Sequence, residues 1–335
     1  MNSFKGKRVL VTGATGLIGS QLTHSLAKVE GIKIIAVSRN KQKLEKSFLN
    51  YFSNANFSII AHDISEPLES FEYPFDYIFH AASPQENKII HNRPIEVINA
   101  NISGTLNCLD LLERQKNHHG VEGRLILFSS VTVYGNQSQE DIVVRESDTY
   151  TAQPLESKGA PYSESKRMSE VIARAYFNQF GSNITIARLS TVYGDTLIKS
   201  DTAFFEFLNN VIIRQNTHIQ NCTLPRRDNI YLEDAISGLI CIALHGKTGE
   251  VYNISSNGEL GNFKAIDEIA EVIKDEANQF FGNSIDPLIV DYENSIKGYR
   301  MPGIKMDNSK LKELGWEIKT SFNEGIRKTL ASCLS

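Results

Sequence analysis

Short runs of apolar, often β-branched residues alternate with longer stretches of mixed polarity through the first 190 positions of the chain. In order, the apolar runs are RVLVTG (8–13), KIIAVS (33–38), FSIIAHD (57–63), FDYIFHAAS (75–83), RLILFSS (124–130) and NITIARLS (183–190). The stretches between them have the amphipathic pattern of helices, at roughly 17–30, 40–52, 94–117 and 161–180. Strands that are apolar at every position are typical of a parallel sheet covered by helices on both faces.

This pattern predicts an α/β protein with a doubly wound, Rossmann-type parallel sheet, whose ligand crevice lies at the carboxyl ends of the strands. After residue 191 the alternation loosens, and a smaller C-terminal lobe is expected. Its predicted elements are helices at roughly 203–215, 233–245, 263–277 and 307–315 and a strand near 250–255.

The chain is therefore expected to form a large domain and a smaller lobe. The large domain would comprise 1–190 plus about 228–255, and the lobe about 191–227 and 256–335. The polar segment at roughly 135–160 is expected to be a loop over the crevice.

Composition and charge narrow the classes of protein that fit this fold. Hydrophobic residues make up 41% of the 335 residues and charged residues 22%, as in compact globular proteins. No run approaches the roughly 18 consecutive apolar residues that a membrane helix needs. The formal net charge is -4, without a long basic stripe, so we expect neither a nucleic acid nor a membrane as a partner.

The cysteines indicate the compartment. Cys108, Cys222, Cys241 and Cys333 lie far apart, with no CxxC pair and no metal-ligand spacing. The chain begins MNSFKGKRVLVTG, which lacks the apolar core of a secretion signal. We expect a cytoplasmic protein without disulfides and without a metal site.

The segment VTGATGLIGS (11–20) follows the first predicted strand and begins the first predicted helix. Its glycines, Gly13, Gly16 and Gly19, permit a tight turn in which backbone N–H groups approach a pyrophosphate at the positive end of the helix. A glycine-rich turn without a ligand has the same local sequence, but the order strand, turn, helix favours dinucleotide binding. Asp63, which ends the third predicted strand, fits either an acceptor for the adenine amino group or a turn residue.

The end of the second predicted strand bears on which dinucleotide binds. Sites that prefer NAD usually carry a carboxylate there, which binds the ribose 2′-OH, whereas this chain has Ser38 and Arg39. Arg39 fits a partner for the 2′-phosphate of NADP, and it equally fits a solvated arginine beside Lys41 and Lys43. The expected cofactor is NAD or NADP, and Arg39 favours NADP.

PYSESK (161–166) places Lys166 four residues after Tyr162 at the start of a predicted helix, so both side chains can face the crevice. A free tyrosine has a pKa near ~10, and a nearby cation favours the phenolate. With Lys166 and an oxidised nicotinamide as cations, Tyr162 could take the proton of a substrate hydroxyl while hydride leaves the same carbon. Ser130, which ends the fifth predicted strand, could hydrogen-bond the same oxygen. YxxxK alone is common on helix surfaces, but with the glycine turn and the strand-end serine it predicts an oxidoreductase site.

Together these residues resemble the extended short-chain dehydrogenase/reductase family, in particular its nucleotide-sugar epimerase/dehydratase group. The motifs that carry the resemblance are TGATGLIG (12–19), HAAS (80–83), NISGT (101–105), FSSVTVYG (128–135), YSESK (162–166), RLSTVYG (188–194), RRDNIYLEDA (226–235) and DNSKLKELGW (307–316). The resemblance implies a dinucleotide-binding domain, a substrate-binding C-terminal lobe and a nucleoside-diphosphate sugar as substrate. It implies that Ala81, Ala82 and Asn101 line the dinucleotide, that Ser130, Tyr162 and Lys166 are the catalytic triad, and that Arg227 and Arg300 hold the diphosphate.

Two positions between Ser130 and Tyr134 separate the reactions within this group. Members that are sugar 4,6-dehydratases carry an Asp-Glu pair there, and decarboxylating members carry a glutamate in the second place. This chain has Val131 and Thr132, and the segment is similar to that of the UDP-galactose 4-epimerases, in which a threonine takes the second place. Thr191 stands where the family commonly has an asparagine near the sugar, so Thr132 and Thr191 are both expected beside a sugar whose identity stays open.

The resemblance therefore favours a nucleotide-sugar 4-epimerase that oxidises C4 and returns the hydride to the other face of the sugar. A 4-keto-sugar reductase or a sugar 4-dehydrogenase would use the same three residues in one direction only. A non-catalytic dinucleotide sensor shares the fold, but it would not need Ser130, Tyr162 and Lys166 together.

The predicted helices at 94–117 and 161–180 are apolar on more than one side. Their apolar positions include Ile98, Ile102, Leu106, Leu109 and Leu112 on the first and Val171, Ile172, Ala175, Tyr176 and Phe180 on the second. Such helices need a second packing partner. The family resemblance implies a homodimer in which two copies pair these helices in a four-helix bundle, and burial by neighbouring helices of the same chain is the alternative.

Overall fold

The computed structural model describes residues 2–68, 74–135, 141–149, 152–194, 203–219, 225–282, 289–292 and 302–334. In these ranges the strands are β1 (Arg8–Thr12), β2 (Lys33–Ser38), β3 (Phe57–Ala61), β4 (Tyr77–His80), β5 (Arg124–Ser130), β6 (Ile142–Val144), β7 (Ile184–Leu189), β8 (Thr191–Tyr193), β9 (Thr217–Ile219), β10 (Arg227–Tyr231), β11 (Val251–Ile254), β12 (Phe263–Lys264), β13 (Val290–Tyr292) and β14 (Ile304–Met306). The α-helices are α1 (Leu17–Ala27), α2 (Lys41–Phe48), α3 (Asn87–Asn92), α4 (Pro94–His119), α5 (Ala160–Phe180), α6 (Ala203–Ile212), α7 (Leu232–His245), α8 (Ile266–Phe281), α9 (Ser309–Lys312) and α10 (Phe322–Leu334).

The large sheet has the strand order β11-β7-β5-β4-β1-β2-β3. Every neighbouring pair in it is parallel; for example, Val11 of β1 lies opposite Ala36 of β2 on one side and Phe79 of β4 on the other. The order runs outward in both directions from β1 and β4, which confirms the doubly wound, Rossmann-type sheet. A crevice opens beside the carboxyl ends of these two strands, because the winding reverses between them.

Helices cover both faces of this sheet. Val11 lies in a core cluster with Leu22 of α1 and Leu239 of α7, whereas its neighbour Leu10 lies in a second cluster with Leu112 of α4. Successive residues of a strand point to opposite faces, so a strand between two helical layers is apolar at every position. This is the physical basis of the uninterrupted apolar runs in the sequence.

Helix α5 carries two of the candidate catalytic residues in its first turns. Pro161 lies in the opening turn, where a missing N–H costs nothing, and Gly181 ends the helix with a φ of +66°. Because the helix is continuous between these two residues, Tyr162 and Lys166 lie four positions apart on one face.

The C-terminal half contributes most of a second sheet, in the order β12-β10-β14-β6, with β8 paired to β10. Helices α6, α8 and α10 share an apolar core that includes Phe207, Ile273 and Phe322. The chain returns to the large sheet through α7 and β11. The division into a large domain and a lobe at the residues given above stays a prediction.

Several short elements differ from the sequence pattern. Strand β6 lies in the segment 135–160 that was expected to be a loop, and it pairs with β14 through Ile142 and Ile304. Helices α3 and α10 and the strands β8, β9, β10, β12, β13 and β14 were not expected either, and the helix expected at 307–315 is reduced to α9. Except for α10, with 13 residues, these elements have six residues or fewer, which carry too little periodicity to reveal a strand or helix.

The described ranges bear on the membrane, metal and disulfide expectations. No helix there is long and apolar enough to span a membrane. The same ranges hold no group of three or more His, Cys, Asp or Glu side chains arranged to bind a metal ion. Cys108, Cys241 and Cys333 form no disulfide within the described ranges, and Cys222 lies outside them.

Candidate active site

The glycine turn after β1 packs directly against the end of β4. Gly13 has a φ of +66°, and a Cβ on it would stand 2.7 Å from backbone atoms of Ala81 and Ala82. A Cβ on Gly19 would overlap the carbonyl oxygen of Gly13, so the close contact between turn and helix also requires glycine. The structure thus brings Gly13, Gly19, Ala81 and Ala82 together at the crevice.

The N-terminus of α1 fits the pyrophosphate of a dinucleotide. Its N-cap is Gly16, and no side chain caps the helix. The N–H groups of a first turn need acceptors, and the helix dipole favours an anion there. The residues present therefore suit the cofactor expected from the sequence.

The residues expected at the adenosine end lie around β2 and β3. Thr15 of the glycine turn hydrogen-bonds Ser38 at the end of β2, with 2.7 Å between the hydroxyl oxygens. Arg39 follows, with its Nη1 atom 3.6 Å from Oε2 of Glu96, and both side chains are largely exposed. Because an exposed pair of this kind contributes little stability, Arg39 can leave Glu96 at small cost.

Asp63 forms a turn. Its Oδ1 atom accepts hydrogen bonds from the N–H and the hydroxyl of Ser65, at 3.0 and 2.7 Å. Burial alone would raise the pKa of Asp63, but these bonds and the charge of Arg39 outweigh it and hold the pKa below its usual value. The carboxylate is therefore ionised at neutral pH and is able to accept a further bond.

Ser130 and Tyr162 meet at the carboxyl end of β5. The Tyr162 side chain is buried, with the residue 9% exposed, and its hydroxyl oxygen accepts a hydrogen bond from Nε2 of Gln85 at 3.2 Å. The Ser130 hydroxyl oxygen accepts from the Thr132 N–H and hydroxyl, at 3.2 and 3.1 Å. Burial raises the pKa of Tyr162, and hydrogen bonding by Ser130, Gln85 and Ser83 opposes that rise.

Lys166 lies deeper in the protein than the sequence suggested. It is 3% exposed, and its Nζ atom donates to the backbone carbonyl of Phe128 at 2.7 Å. Burial lowers the pKa of Lys166 to about 7, although the negative charge of Glu170 acts in the opposite direction. The sequence predicted a cation beside the phenol, whereas in the structure the Lys166 amine is hydrogen-bonded to β5, the strand that ends in Ser130.

Two polar atoms near these residues are buried without a hydrogen bond of normal geometry to any described residue. They are the Ser83 hydroxyl and the Oδ1 atom of Asn101. Asn101 belongs to α4 and donates through Nδ2 to Ser165 of α5 at 2.8 Å. Buried polar atoms usually have partners, so this pair of atoms fits a bound polar group at the crevice.

His80, at the end of β4, has no counterpart among the residues expected from the sequence. Its Nδ1 atom lies 2.8 Å from the Thr12 hydroxyl. Burial, with the nearby charge of Lys166, lowers its pKa to about 3. His80 is therefore neutral, and its hydrogen bond with Thr12 joins the ends of β4 and β1.

Arg227 begins β10 on the side of the second sheet. Its neighbour Arg226 forms an ion pair with Glu268, in which Nε donates to Oε2 at 3.3 Å and Nη2 donates to Oε1 at 3.0 Å. Within the described ranges Arg227 forms no ion pair. Thr191 begins β8 and lies opposite Asn229 on β10, two positions from Arg227. An exposed guanidinium without an acidic partner suits a diphosphate. Arg300 lies outside the described residues.

Gln85 is the contact to the tyrosine that sequence reasoning missed. It lies in the loop between β4 and α3, 77 positions from Tyr162. The only signal for it was its place just after a strand that ends at the crevice.

Comparison with known proteins was consistent across sequence and structure. Residues 9–255 match the model of the NAD dependent epimerase/dehydratase family. UDP-glucuronic acid decarboxylase 6 of Arabidopsis thaliana is 29% identical over 323 residues, which is 95% of this chain and 86% of the relative. UDP-glucuronic acid decarboxylase 1 of Xenopus tropicalis is also 29% identical, over 97% of this chain and 71% of the relative.

Solved structures of low sequence identity share the fold. An epimerase of Methanothermobacter thermautotrophicus has a TM-score of 0.79 at 24% identity, covering 98% of this chain and 93% of that one. The UDP-glucose 4-epimerase of Thermotoga maritima, solved with UDP-glucose, has a TM-score of 0.77 at 23% identity, covering 98% and 100%. The resemblance seen in the sequence motifs is thereby confirmed: the chain belongs to the NAD dependent epimerase/dehydratase family of extended short-chain dehydrogenases/reductases, whose members are nucleotide-sugar epimerases, dehydratases and decarboxylases.

Proposed function

We propose that this chain is a nucleotide-sugar 4-epimerase. The observation that carries the proposal is the pair Val131-Thr132 beside Ser130. The Thr132 hydroxyl donates to Ser130 at 3.1 Å, in the place where the family resemblance puts the acid of dehydratases and decarboxylases. A neutral hydroxyl does not supply a proton for loss of water, so the proton-transferring group left at this site is Tyr162.

Each of the three catalytic residues has its own role in the proposed epimerisation. Tyr162 takes the proton of the C4 hydroxyl and later returns it, and Ser130 hydrogen-bonds the same sugar oxygen. Lys166 is hydrogen-bonded to the strand that ends in Ser130, and in its protonated form it supplies a positive charge that favours the phenolate of Tyr162. When NAD(P) is bound, it takes up and returns the hydride.

The diphosphate has to stay anchored while the sugar turns over to present its other face. Arg227 suits this task because, among the described residues, no carboxylate competes for its guanidinium. The glycine turn at Gly13, Gly16 and Gly19 holds the pyrophosphate of the cofactor, with Asp63 at the adenine. The glycine turn and Arg227 would thus hold the two anions from separate elements of the fold.

A reductase or dehydrogenase that works in one direction is the second candidate. It is favoured by Arg39, which stands at the end of β2 in place of a carboxylate and suits NADP. A non-catalytic sensor would not require Ser130 and Tyr162 to meet in a buried site.

The proposed assembly is a homodimer through α4 and α5. Its support is an apolar stripe that the fold of a single chain leaves exposed on these helices, which includes Ile95, Met168 and Val171.

A substrate panel distinguishes these functions. The purified protein is denatured to identify any released dinucleotide by mass, and fresh protein is incubated with UDP-, GDP-, CDP- and dTDP-sugars without added NAD(P)H. We expect one pair of C4 epimers to interconvert with no net consumption of dinucleotide. Stoichiometric oxidation of NADPH by a keto-sugar would instead identify a reductase, and release of CO₂ from a uronic acid would identify a decarboxylase.

A further inference from the structure

We propose that Gln85 is a further catalytic residue, which donates a hydrogen bond to the Tyr162 oxygen and so stabilises the phenolate that accepts the substrate proton. The proposal rests on the proposed role of Tyr162. It assigns a task to a loop residue that is recognised by neither the glycine turn nor the YxxxK spacing.

The hydrogen bond between Gln85 and Tyr162 has a defined direction. The Nε2 atom of Gln85 lies 3.2 Å from the Tyr162 hydroxyl oxygen, so the amide donates and the phenol oxygen accepts. A hydrogen bond to an ionised oxygen is roughly twice as strong as one to a neutral oxygen. The amide therefore stabilises the phenolate more than the phenol, which lowers the pKa of Tyr162.

The buried Tyr162 hydroxyl needs a donor of this kind. Burial raises the pKa of Tyr162, which opposes its use as a proton acceptor. The Lys166 amine donates to the Phe128 carbonyl at 2.7 Å, and the described residues show no hydrogen bond from it to the phenol. Ser130, Gln85 and Ser83 remain as hydrogen-bonding groups beside the phenol oxygen, and Ser130 is also the group expected to bind the sugar oxygen.

The position of Gln85 in the fold also suits this role. Gln85 is exposed, whereas Tyr162 is buried, so the amide covers the tyrosine on its open side. The loop that carries Gln85 starts at β4, beside the reversal of the sheet, and leads into α3. Ile89 of α3 packs against the Tyr162 ring in a small apolar cluster with Val97, which holds this loop in place over the tyrosine.

The test compares Gln85→Leu, which removes the donor, with Gln85→Glu, which replaces it by an acceptor. The matched control is Gln42→Leu, the same change at an exposed glutamine of α2. Each protein is labelled with ¹³Cζ-tyrosine and titrated by NMR, and the signal of Tyr162 is identified by its loss in Tyr162→Phe. This titration requires no substrate.

We expect Gln85→Leu to raise the pKa of Tyr162 by about one to two units, the range for a hydrogen bond to a charged group. Gln85→Glu should raise it further, because a carboxylate repels the phenolate, and Gln42→Leu should leave it unchanged. The acid limb of the pH profile of kcat/KM should move to higher pH by the same amount.

The outcomes separate the two proposals. If the Tyr162 titration is the same in Gln85→Leu and in the unsubstituted protein, the role of Gln85 is wrong, whatever reaction the protein catalyses. If the titration moves but no sugar is epimerised, the hydrogen bond stands and the proposed 4-epimerase fails. Because Gln85 is exposed, these variants are expected to fold, and matching melting temperatures would verify it.

Discussion

The Tyr162 hydroxyl is the group on which the proposed reaction depends. It is buried and has Ser130 and Gln85 as neighbours. We expect Tyr162→Phe to fold and to bind the cofactor normally but to lower turnover by a factor on the order of 10² to 10⁴, as is typical for loss of a general acid/base. The matched control is Tyr51→Phe, since Tyr51 hydrogen-bonds His24 away from the crevice. Steady-state kinetics decide, and turnover near that of the unsubstituted protein would exclude Tyr162 as the base.

Arg39 determines which dinucleotide is preferred, if its guanidinium reaches the 2′-phosphate. Its present contact with Glu96 is long and exposed, so little is lost when it moves. A charge-assisted contact is worth roughly 1.5–3 kcal/mol, so Arg39→Ala should lower the ratio of NADP to NAD affinity by about 10- to 100-fold. Lys41→Ala removes a neighbouring exposed charge and serves as the control. Calorimetric affinities for both dinucleotides give the ratio, and an unchanged ratio would make Arg39 a solvated surface residue.

Single residues of the site differ in how far the sequence could predict them. Ser130, Tyr162 and Lys166 follow from a strand end and a helical spacing, which are local patterns. Their mutual contacts do not follow from local patterns, because the Lys166 amine reaches the Phe128 carbonyl only when α5 packs against β5. Gln85 was out of reach of local patterns altogether, since its contact spans 77 positions of the chain.

Among the elements, α5 is fixed to the sheet by a buried ion pair. Arg188 of β7 binds Glu170 through two hydrogen bonds of 3.0 and 2.8 Å, and Glu170 also accepts the Ser129 hydroxyl at 2.5 Å. Glu170 lies one turn beyond Lys166 on the same face of α5. The pair therefore sets the position of the helix that carries Tyr162 and Lys166.

Removal of one member of this pair should be costly. We expect Arg188→Met to lower the free energy of unfolding by about 3–5 kcal/mol, because it leaves the Glu170 carboxylate buried without its cation. The double variant with Glu170→Gln should recover part of this loss. Lys5→Met, which breaks the exposed pair of Lys5 with Glu30, should cost only up to ~1 kcal/mol. Urea unfolding measures all of them, and an Arg188→Met protein as stable as Lys5→Met would contradict this account.

Length alone does not decide which elements the sequence predicts, because β4 and β11, with four residues each, were expected, whereas α10, with 13 residues, was not. Helices α4 and α5 were recognised from their amphipathic pattern, and the seven strands of the large sheet from their continuous apolar runs. Strand β6 has three residues and exists because β14 supplies its hydrogen-bonding partners, more than 150 positions away in sequence, as in the pair Ile142 and Ile304. Its backbone groups need partners once they are covered, and the pattern of one segment does not show that need.

For the whole molecule, the fold accounts for part of the apolar surplus on α4 and α5. Leu109 and Leu112 of α4 are buried in the core beneath the helices, and Ile172 and Tyr176 of α5 pack against the same cluster. These residues follow the alternative that was left open, burial by the same chain. Of the others, Ile98, Ile102 and Leu106 are half-buried, whereas Val171, Ala175 and Phe180 are exposed.

The outward-facing residues form a stripe on the two helices. Val171 is 55% exposed, and Met168 and Ile95 are also exposed. Phe180 is exposed as well, but its spacing from Val171 places it on the opposite side of α5, outside this stripe. Met168 and Val171 lie three positions apart, so they share one face of the helix. Apolar residues grouped on one face, and not scattered singly, are typical of a protein interface.

We expect this stripe to pair with its copy in a two-fold homodimer, because an isologous contact lets one apolar face cover itself. Light scattering at micromolar concentration should give about twice the 37.5 kDa of one chain. Val171→Glu places a charge in the middle of the stripe and should shift the mass to that of the monomer while the fold is retained. Leu49→Glu, a change at an equally exposed leucine after α2, should leave the dimer intact.

Since Tyr162 and Lys166 lie at the start of α5, a dimer would also support the catalytic face from behind, and we expect Val171→Glu to lose activity in proportion to its dissociation. A monomer mass for the unsubstituted protein would rule out this assembly and leave the exposed stripe to a different partner.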